Sequence, residues 1–274
     1  MPAIHSPLGA LPARFRRERV LIVGCGDVGL RAARMLAGRV RLMALTSSPA
    51  RVAPLRAAGL LPLIGDLDSP ATLRRLAGLG TRVLHLAPPA REGEGDARML
   101  ALARSLALRS VPQALVYGST SGVYGDCGGA WIDETRLVRP ATPRAKRRVA
   151  AEGAVRWLGR AAGVRASILR IPGIYAPDRE AGTPRERLLR ATPPLKAEDD
   201  VYTSHIHADH LARACVAALF RGRPQRVVHA SDDTELKMGD YFDLAADLYG
   251  LPRPPRIARA EAEQQLTPQL LSFM

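Results

Sequence analysis

The chain has 274 residues, 47% of them hydrophobic, and a formal net charge of +14 at pH 7. This length fits one large α/β domain or two small ones, and the apolar content is enough for a substantial core. No stretch approaches the run of about 18 apolar residues that a membrane span needs. The three cysteines are scattered without a C-x-x-C pair, which predicts no metal or disulfide framework and favours a cytoplasmic protein.

Arginine carries almost all of the positive charge. Only Lys146, Lys196 and Lys237 are lysines, and the arginines are spread along the chain rather than clustered. Aromatic residues make up 4% of the chain, so platforms for stacking bases are scarce. The composition predicts no nucleic-acid partner and no membrane partner, although the excess charge favours anionic ligands such as dinucleotides.

Residues 1–18 are predicted to form a flexible basic leader, followed by a single domain over residues 19–274. Three prolines, Pro2, Pro7 and Pro12, interrupt the leader. It therefore has no uninterrupted apolar segment of the kind that marks a secretory signal.

The first predicted strand, residues 20–23, runs directly into Gly24-x-Gly26-x-x-Gly29, and a helical pattern follows at once. In a dinucleotide-binding loop the first glycine permits the tight turn. The second lets the backbone approach a pyrophosphate, and the third lets helix and strand pack closely. Asp27 and Val28 open the helix, whose free N–H groups and partial positive charge attract phosphate. The alternative is a glycine turn in an ordinary α/β unit.

Short apolar runs then alternate with helical patterns. Further strands are predicted at 40–45, 61–64, 82–86, 114–117 and 165–170, and helices at 49–58, 70–77, 95–108 and 143–162. This alternation predicts an α/β protein with an NAD(P)-binding, Rossmann-like, doubly wound parallel sheet.

The alternation breaks after residue 171. Residues 172–200 are rich in proline, glycine and charge, and are predicted to hold one short helix, 185–190. A helix at 208–221, a strand at 226–229 and a helix at 238–249 follow. We expect residues 172–206 and 230–274 to form most of a small C-terminal substrate lobe over the carboxyl edge of the sheet.

The end of the second strand bears on the choice of nucleotide. An acidic residue there accepts the ribose 2′-OH of NAD, but this chain has Thr46 and Ser47, with Arg51 nearby. Hydroxyls and an arginine suit a 2′-phosphate, so NADP is favoured over NAD. The alternative is that Ser47 belongs to a helix cap and Arg51 is solvated. After the third strand, Asp66 and Leu67 are predicted to meet the adenine, with Asp66 equally suited to cap a turn.

Several segments, in order along residues 19–250, resemble the extended branch of the short-chain dehydrogenase/reductase superfamily, the NAD-dependent epimerase/dehydratase type. The segments are GDLD at 65–68, VLHLA at 83–87, GSTSGVYG at 118–125, DE at 133–134, RAK at 144–146, LRIPGIY at 169–175 and HIHAD at 205–209. The resemblance implies a Rossmann-like fold. It also implies cofactor contacts at Ala87, Pro88, Pro172 and Gly173.

In that family a Ser or Thr after strand five works with a Tyr-x-x-x-Lys on the next helix. The resemblance places Thr120 at the first position and Lys146 at the lysine, where it would also hold the nicotinamide ribose. Thr142 stands four residues before Lys146, and the chain contains no Tyr-x-x-x-Lys. A threonine hydroxyl is far too weak an acid to replace a phenol, so the sequence predicts an atypical member of the branch. The alternative for Lys146 is a solvated residue in a basic run.

Tyr124 is the first candidate for a substitute acid or base, with ring packing as its alternative, and Tyr175 is a weaker one. We predict no metal site at His205, His207, His210 and Asp209, because alternate residues of a strand point to opposite sides. His207 is expected to cap a helix or to be a buried hydrogen-bonding residue. His85 lies inside a strand and is predicted to be a core histidine rather than a base. Arg179, Arg187 and Tyr202 are candidates to bind an anionic substrate, with solvated surface as their alternative.

The sequence thus predicts an NADP-binding oxidoreductase or epimerase-like enzyme that moves hydride to or from a small carbonyl or alcohol substrate. The alternative is a catalytically silent NADP(H)-binding redox sensor that reports to a partner protein. The resemblance further implies a homodimer, formed through a bundle of the helices at 95–108 and 143–162.

Overall fold

A computed structural model describes residues 18–180, 182–267 and 271. The predicted leader thus lies almost wholly outside the described residues. The strands are β1 (Arg19–Val23), β2 (Arg41–Thr46), β3 (Leu61–Ile64), β4 (Arg82–His85), β5 (Ala114–Thr120), β6 (Arg165–Ile171), β7 (Gly173–Tyr175), β8 (His205–His207) and β9 (Arg226–His229). The helices are α1 (Asp27–Leu36), α2 (Val52–Ala57), α3 (Pro70–Leu73), α4 (Ala97–Leu106), α5 (Pro143–Ala162), α6 (Arg185–Leu189), α7 (Ala208–Arg221), α8 (Met238–Tyr249) and α9 (Arg259–Gln265).

Seven strands form one parallel sheet in the order β3-β2-β1-β4-β5-β6-β9. The chain winds outward from β1 in one direction and then from β4 in the other, which confirms the predicted doubly wound fold. The strand order reverses between β1 and β4, and in such sheets a ligand crevice opens there at the carboxyl ends of the strands. The glycine-rich loop follows β1, so the topology places it in this crevice.

A hydrophobic layer covers each face of the sheet. On one face α1 and α7 pack together, with Ala32, Leu36, Leu211 and Cys215 fully or almost fully buried. On the other face α3, α4 and α5 supply the residues Leu73, Met99, Leu102, Val155 and Leu158, each 0% exposed. The apolar runs of the central strands are therefore buried on both sides, as parallel strands require.

The remaining elements gather beyond the carboxyl edge of the sheet. Strands β7 and β8 form a separate two-stranded parallel ribbon, in which Gly173 pairs with His205. Leu188 of α6 packs with Phe242 of α8, and Leu195 bridges to Ile257 before α9. Neither the ribbon nor α9 was predicted from the sequence.

Most predicted elements are confirmed, and α5, α7, α8, β3 and β9 have the predicted bounds. The predicted helix 95–108 is shorter because Asp96 caps its start, accepting a hydrogen bond from the amide of Met99 at 3.2 Å. The predicted helices 49–58 and 70–77 each include a 3-10 turn, Pro49–Arg51 and Arg74–Leu76. Within the described part of the chain, none of the helices combines the length and the apolar character needed to cross a membrane.

Candidate functional site

The glycine-rich loop is built as the sequence predicts. Gly24 has φ of +83°, and a Cβ atom there would lie 2.3 Å from the amide nitrogen of Ala87. Gly29 brings α1 against β1, since its Cβ would lie 3.3 Å from Cγ2 of Ile22. A Cβ on Gly26 would meet nothing within 4 Å, so this glycine faces open space. The loop therefore leaves room for a group held against bare backbone amides at the start of α1.

A first cleft of about 420 Å³ opens beside this loop, toward β2 and β3. It is lined by nine of the residues predicted to bind the cofactor: Gly24, Gly26, Thr46, Ser47, Arg51, Asp66, Leu67, Ala87 and Pro88. Arg98 also lines it, although the sequence analysis did not single it out, and is fixed by a bidentate ion pair with Asp68 at 2.6 and 2.5 Å.

Arg51 reaches over the loop. Its Nη2 donates a hydrogen bond to the carbonyl oxygen of Cys25 at 2.6 Å, so the guanidinium is held at the cleft although the residue is exposed. The Thr46 hydroxyl accepts the amide of Ser48 at 3.2 Å. The carboxylate of Asp66 accepts the amide of Asp68 at 3.0 Å, which is the predicted turn contact, and Asp66 also lines the first cleft.

A second cleft of about 280 Å³ lies on the other side of the loop, toward β5 and β6. Both clefts share Gly24, Gly26 and Leu86, so they meet at the glycine-rich loop. The second is lined by Gly24, Gly26, Asp27, Val28, Gly29, Leu86, Gly118, Ser119, Thr120, Arg144, Arg148, Ile171, Pro172, Ile174, Arg179 and Leu211. Of the predicted residues, this cleft contains Gly24, Gly26, Asp27, Val28, Gly29, Thr120, Pro172 and Arg179.

Two arginines of α5 face the second cleft. Arg144 and Arg148 are four residues apart, the spacing that places two side chains on one helix face. Arg148 is 7% exposed, and its Nη1 donates to the carbonyl oxygen of Gly118 at 2.7 Å and to the hydroxyl of Tyr117 at 3.0 Å. Its Nε is buried and has no hydrogen-bond partner among the described residues. Arg144 is exposed at this cleft.

The structure does not bring Lys146 to the site. It lies on the exposed side of α5, in line with Ala150, Gly153 and Trp157, and lines neither cleft. Residues two apart in a helix point in nearly opposite directions, so Lys146 faces away when Arg144 and Arg148 face inward. Thr142, at the predicted tyrosine position, is instead the N-cap of α5 and accepts the amide of Ala145 at 3.1 Å.

Thr120 ends β5 at the second cleft. Its hydroxyl oxygen accepts the amide of Gly122 at 3.2 Å, which leaves the hydroxyl proton for donation. Ser119 points inward instead, donating to the buried Glu152 at 2.7 Å. Burial acts to raise the pKa of Glu152, but hydrogen bonds from Arg170 and Ser119 outweigh it and hold the pKa below its ordinary value. Glu152 is thus a charged anchor for the end of β5.

Tyr124 is not presented to either cleft. It is 3% exposed, and its hydroxyl receives a hydrogen bond from Arg170 Nη1 at 2.6 Å and lies 2.5 Å from Nε2 of His229. Burial raises the pKa of Tyr124 in spite of Arg170, which makes it a weaker acid than a free phenol. This geometry corrects the prediction of a substitute acid, since the ring packs in the core as the alternative stated. Tyr175 also lines neither cleft and packs against His207.

Charged groups join the loop to the C-terminal lobe. Arg31, 7% exposed, forms ion pairs with Asp27 at 2.9 Å, Asp178 at 2.6 Å and Asp209 at 2.6 Å. Arg179 also pairs with Asp27, at 2.8 Å. The hydrogen bonds from Arg31 hold the pKa values of Asp178 and Asp209 below their ordinary range. The carboxylate of Asp27 is therefore paired with two guanidinium groups at the start of α1, which lowers its repulsion of a phosphate bound there.

Three histidines, His85, His205 and His207, make capping or packing contacts. His207 caps α7, accepting the amide of Asp209 at 3.2 Å, as predicted. His205 stacks on Tyr241 with ring centroids 4.3 Å apart. Gly173, predicted to contact the cofactor, lines neither cleft, and a Cβ atom there would lie 2.9 Å from the His205 ring. His85 is 1% exposed, which confirms a core histidine, and burial lowers its pKa to about 3. Among the described residues no group of histidine, cysteine or acidic side chains is arranged to hold a metal ion.

The model of the NAD-dependent epimerase/dehydratase family matches residues 20–231. The chain belongs to this family. The match covers the glycine-rich loop and all seven strands of the main sheet, so the NAD(P)-binding fold and the crevice described above are those of the family. No curated protein is significantly similar to the chain in sequence.

Solved structures share this fold. A functionally unknown conserved protein from Silicibacter pomeroyi is 29% identical, with a TM-score of 0.76 and coverage of 93% of this chain and 86% of that one. UDP-glucose 4-epimerase from Thermotoga maritima, solved with UDP-glucose, is 19% identical, with a TM-score of 0.72 and coverage of 87% and 85%. A dTDP-glucose 4,6-dehydratase from Streptomyces venezuelae, solved with NAD, is 22% identical, with a TM-score of 0.70 and coverage of 88% and 85%.

Proposed function

We propose that the protein is an NADP-linked oxidoreductase that reduces a small carbonyl compound, with arginine in place of the family's tyrosine and lysine. One observation carries the proposal: Arg144, Arg148 and Thr120 line the same cleft, and that cleft opens onto the glycine-rich loop. A hydroxyl donor and two cations therefore surround the place where a substrate oxygen would lie.

The clefts fit a dinucleotide. The open space at Gly26 and the amides of Asp27 and Val28 suit a pyrophosphate, and the first cleft suits the adenosine half. The second cleft would receive the nicotinamide half, with Pro172 beside it. When bound, the reduced nicotinamide supplies hydride.

The residues of the second cleft determine how the substrate would be handled. Negative charge develops on a carbonyl oxygen as hydride arrives, and preorganised donors and cations stabilise that charge. Thr120 would donate its hydroxyl proton in a hydrogen bond to this oxygen, with the guanidinium groups adding positive charge. A guanidinium keeps its proton at physiological pH, so the proton that completes the alcohol would come from water.

NADP is the proposed coenzyme. Thr46, Ser47 and Arg51 line the first cleft at the end of β2, where no carboxylate is present to accept a 2′-OH. Arg51 is already held over the loop by its hydrogen bond to Cys25. Its charge therefore needs little reorganisation to meet a 2′-phosphate.

The test is NADPH oxidation with a panel of small aldehydes and ketones. We expect turnover with at least one carbonyl, and a loss of about a hundredfold in kcat/KM in Thr120→Ala, the scale of a lost oxyanion donor. Lys146→Gln is the matched control on the same helix and should leave kcat/KM unchanged. Turnover that ignores Thr120→Ala, or no turnover with any carbonyl although NADPH binds, would contradict the proposal.

A second candidate is a silent NADP(H) sensor. It is favoured by one observation: no histidine, cysteine, tyrosine or lysine is found among the described residues that line the second cleft. Such a protein would bind NADP and NADPH without turning over any carbonyl, and would bind a partner protein with only one of the two forms. Pull-downs with each form would distinguish it from the enzyme.

A further inference from the structure

The second cleft has an excess of positive charge. Its lining includes Arg144, Arg148 and Arg179, against Asp27 as the one carboxylate among the described lining residues. Arg179 forms an ion pair with Asp27, at 2.8 Å. Arg148 is held by Gly118 and Tyr117 through Nη1.

Arg144 differs from the other two. It is exposed at the cleft, and among the described residues its guanidinium makes no hydrogen bond and no ion pair. It stands at the first position of an i, i+4 pair whose second member, Arg148, lies deeper and is 7% exposed. A planar fork of donors is thus free at the mouth of a cleft whose deeper wall is already cationic.

We infer that Arg144 binds the carboxylate of the substrate, and that the substrate is a small 2-oxo acid. This inference rests on the proposed function. A guanidinium accepts a carboxylate through two parallel hydrogen bonds, which also orients the neighbouring carbonyl. Thr120 remains to donate to the carbonyl oxygen, with the charge of Arg148 nearby, so the carboxylate and the carbonyl oxygen are assigned to different side chains.

The second cleft has little enclosed space beside the coenzyme, which suits a small acid. The second cleft is about 280 Å³, below the roughly 300–1,000 Å³ typical of ligand pockets, and it must also receive the nicotinamide half of the coenzyme. A carboxylate next to the reacting carbonyl occupies little additional space. It also supplies the negative partner that the Arg144 guanidinium does not have among the described residues.

The experiment compares a 2-oxo acid with its neutral methyl ester in NADPH oxidation, using the intact protein. We expect kcat/KM for the acid to exceed that for the ester by about tenfold or more, because a neutral ester leaves the guanidinium unmatched. Arg144→Gln should remove that preference by slowing the acid alone, and Arg144→Lys should keep part of it. Lys146→Gln is the matched control and should leave the ratio unchanged.

A binding measurement keeps the inference testable if no carbonyl is reduced. Oxamate, a carboxylate that resembles a 2-oxo acid, is titrated into the protein saturated with NADPH, with neutral oxamide as its control. We expect oxamate to bind, oxamide not to bind, and Arg144→Gln to weaken oxamate by about tenfold. NADPH affinity of the same variant is measured in parallel.

The outcomes separate the two proposals. Equal turnover of acid and ester would overturn the inference and leave the proposed reductase intact. Arg144-dependent oxamate binding without turnover of any carbonyl would support the carboxylate site and contradict the reductase. If Arg144→Gln weakens NADPH but leaves the acid-to-ester ratio unchanged, the arginine serves the coenzyme, and the inference is overturned.

Discussion

Arg144 and Arg148 lie one turn apart on the inward face of α5, and both line the cleft that contains Thr120. This is the spacing of the family's Tyr-x-x-x-Lys pair, and the helix presents two guanidinium groups there. A phenol whose pKa is lowered by a neighbouring ammonium exchanges a proton with the substrate, whereas guanidinium groups supply only charge and hydrogen bonds.

The first prediction concerns pH. Because the described lining of the second cleft has no histidine, cysteine, tyrosine or lysine to act as a proton donor or acceptor, kcat/KM for carbonyl reduction should change by less than about threefold between pH 6 and 9. Initial rates of NADPH oxidation, with substrate well below KM, provide the measurement. A bell-shaped profile in this range would show that a protein acid or base takes part.

The second prediction uses two glycines of the same loop. A Cβ at Gly26 meets nothing in the free protein, so Gly26→Ala should change the free energy of unfolding by less than about 0.5 kcal/mol while weakening NADPH binding by about tenfold or more. Gly24→Ala should instead destabilise the fold by about 2–4 kcal/mol, because of its positive φ and the clash with Ala87. Urea unfolding and calorimetry measure both. Unchanged NADPH affinity in Gly26→Ala would mean that the pyrophosphate lies elsewhere.

The third prediction addresses coenzyme choice. Arg51→Gln should weaken NADP by about tenfold and leave NAD almost unchanged, since only NADP carries a 2′-phosphate. The readout is the ratio of the two dissociation constants, because loss of the hydrogen bond to Cys25 would disturb the binding of both coenzymes alike. A variant that weakens both coenzymes equally would contradict the preference for NADP.

The fourth prediction links His85 to stability in acid. Its pKa is lowered to about 3 by burial and by the charge of Arg148, against an ordinary value of 6.5, so the unfolded chain binds the proton first as pH falls. Stability is therefore fully present above pH 6.5 and is lost below it, by up to about 1.4 kcal/mol per pH unit. His85→Phe, which keeps the ring against Tyr117, should remove this part of the loss between pH 6 and 5. Urea unfolding curves that fall equally for both proteins would contradict this.

The fifth prediction concerns assembly. The resemblance implies a dimer through α4 and α5, and the outer side of α5 carries Trp157, 43% exposed, beside Gly153 and Ala150. We expect the wild type to have the mass of a dimer by light scattering, and Trp157→Glu to shift it toward the monomer. Leu248→Glu, on the exposed side of α8, is the control and should keep the dimer mass. A monomeric wild type at micromolar concentration would refute the predicted homodimer.

The sequence was sufficient for the main sheet because its strands are short apolar runs separated by long periodic helices. Helices such as α5 and α7 have clear apolar stripes, and their bounds were predicted correctly. The ribbon of β7 and β8 was missed because each strand has three residues, and the pairing of Gly173 with His205 depends on the fold between them. Helix α9 was missed because Ala262 is its one buried residue among those described, so it has no stripe.

The register of α5 shows where the site could have been predicted better. From the sequence, Lys146 is predicted to face the site because the family motif ends in a lysine. The buried stripe of Val155 and Ala151 continues at helical spacing to Arg148, with Arg144 one turn further at the exposed mouth of the cleft, and leaves Lys146 outside. The apolar period thus held the signal for which cations face inward. The buried position of Tyr124 could not be predicted from local sequence, because its hydroxyl contacts Arg170 and His229, which lie far away along the chain.

The parallel ribbon also sets when the site can exist during synthesis of the protein. Pro172 and Ile174 line the second cleft, but β7 gains its partner only after the chain has been made through His207. Asp209, which pairs with Arg31, comes later still, as does α7, which packs on α1. A nascent chain halted before α7 would therefore carry the glycine-rich loop and most of the lining of both clefts, but without Leu211 and without the Arg31–Asp209 ion pair that ties α1 to α7.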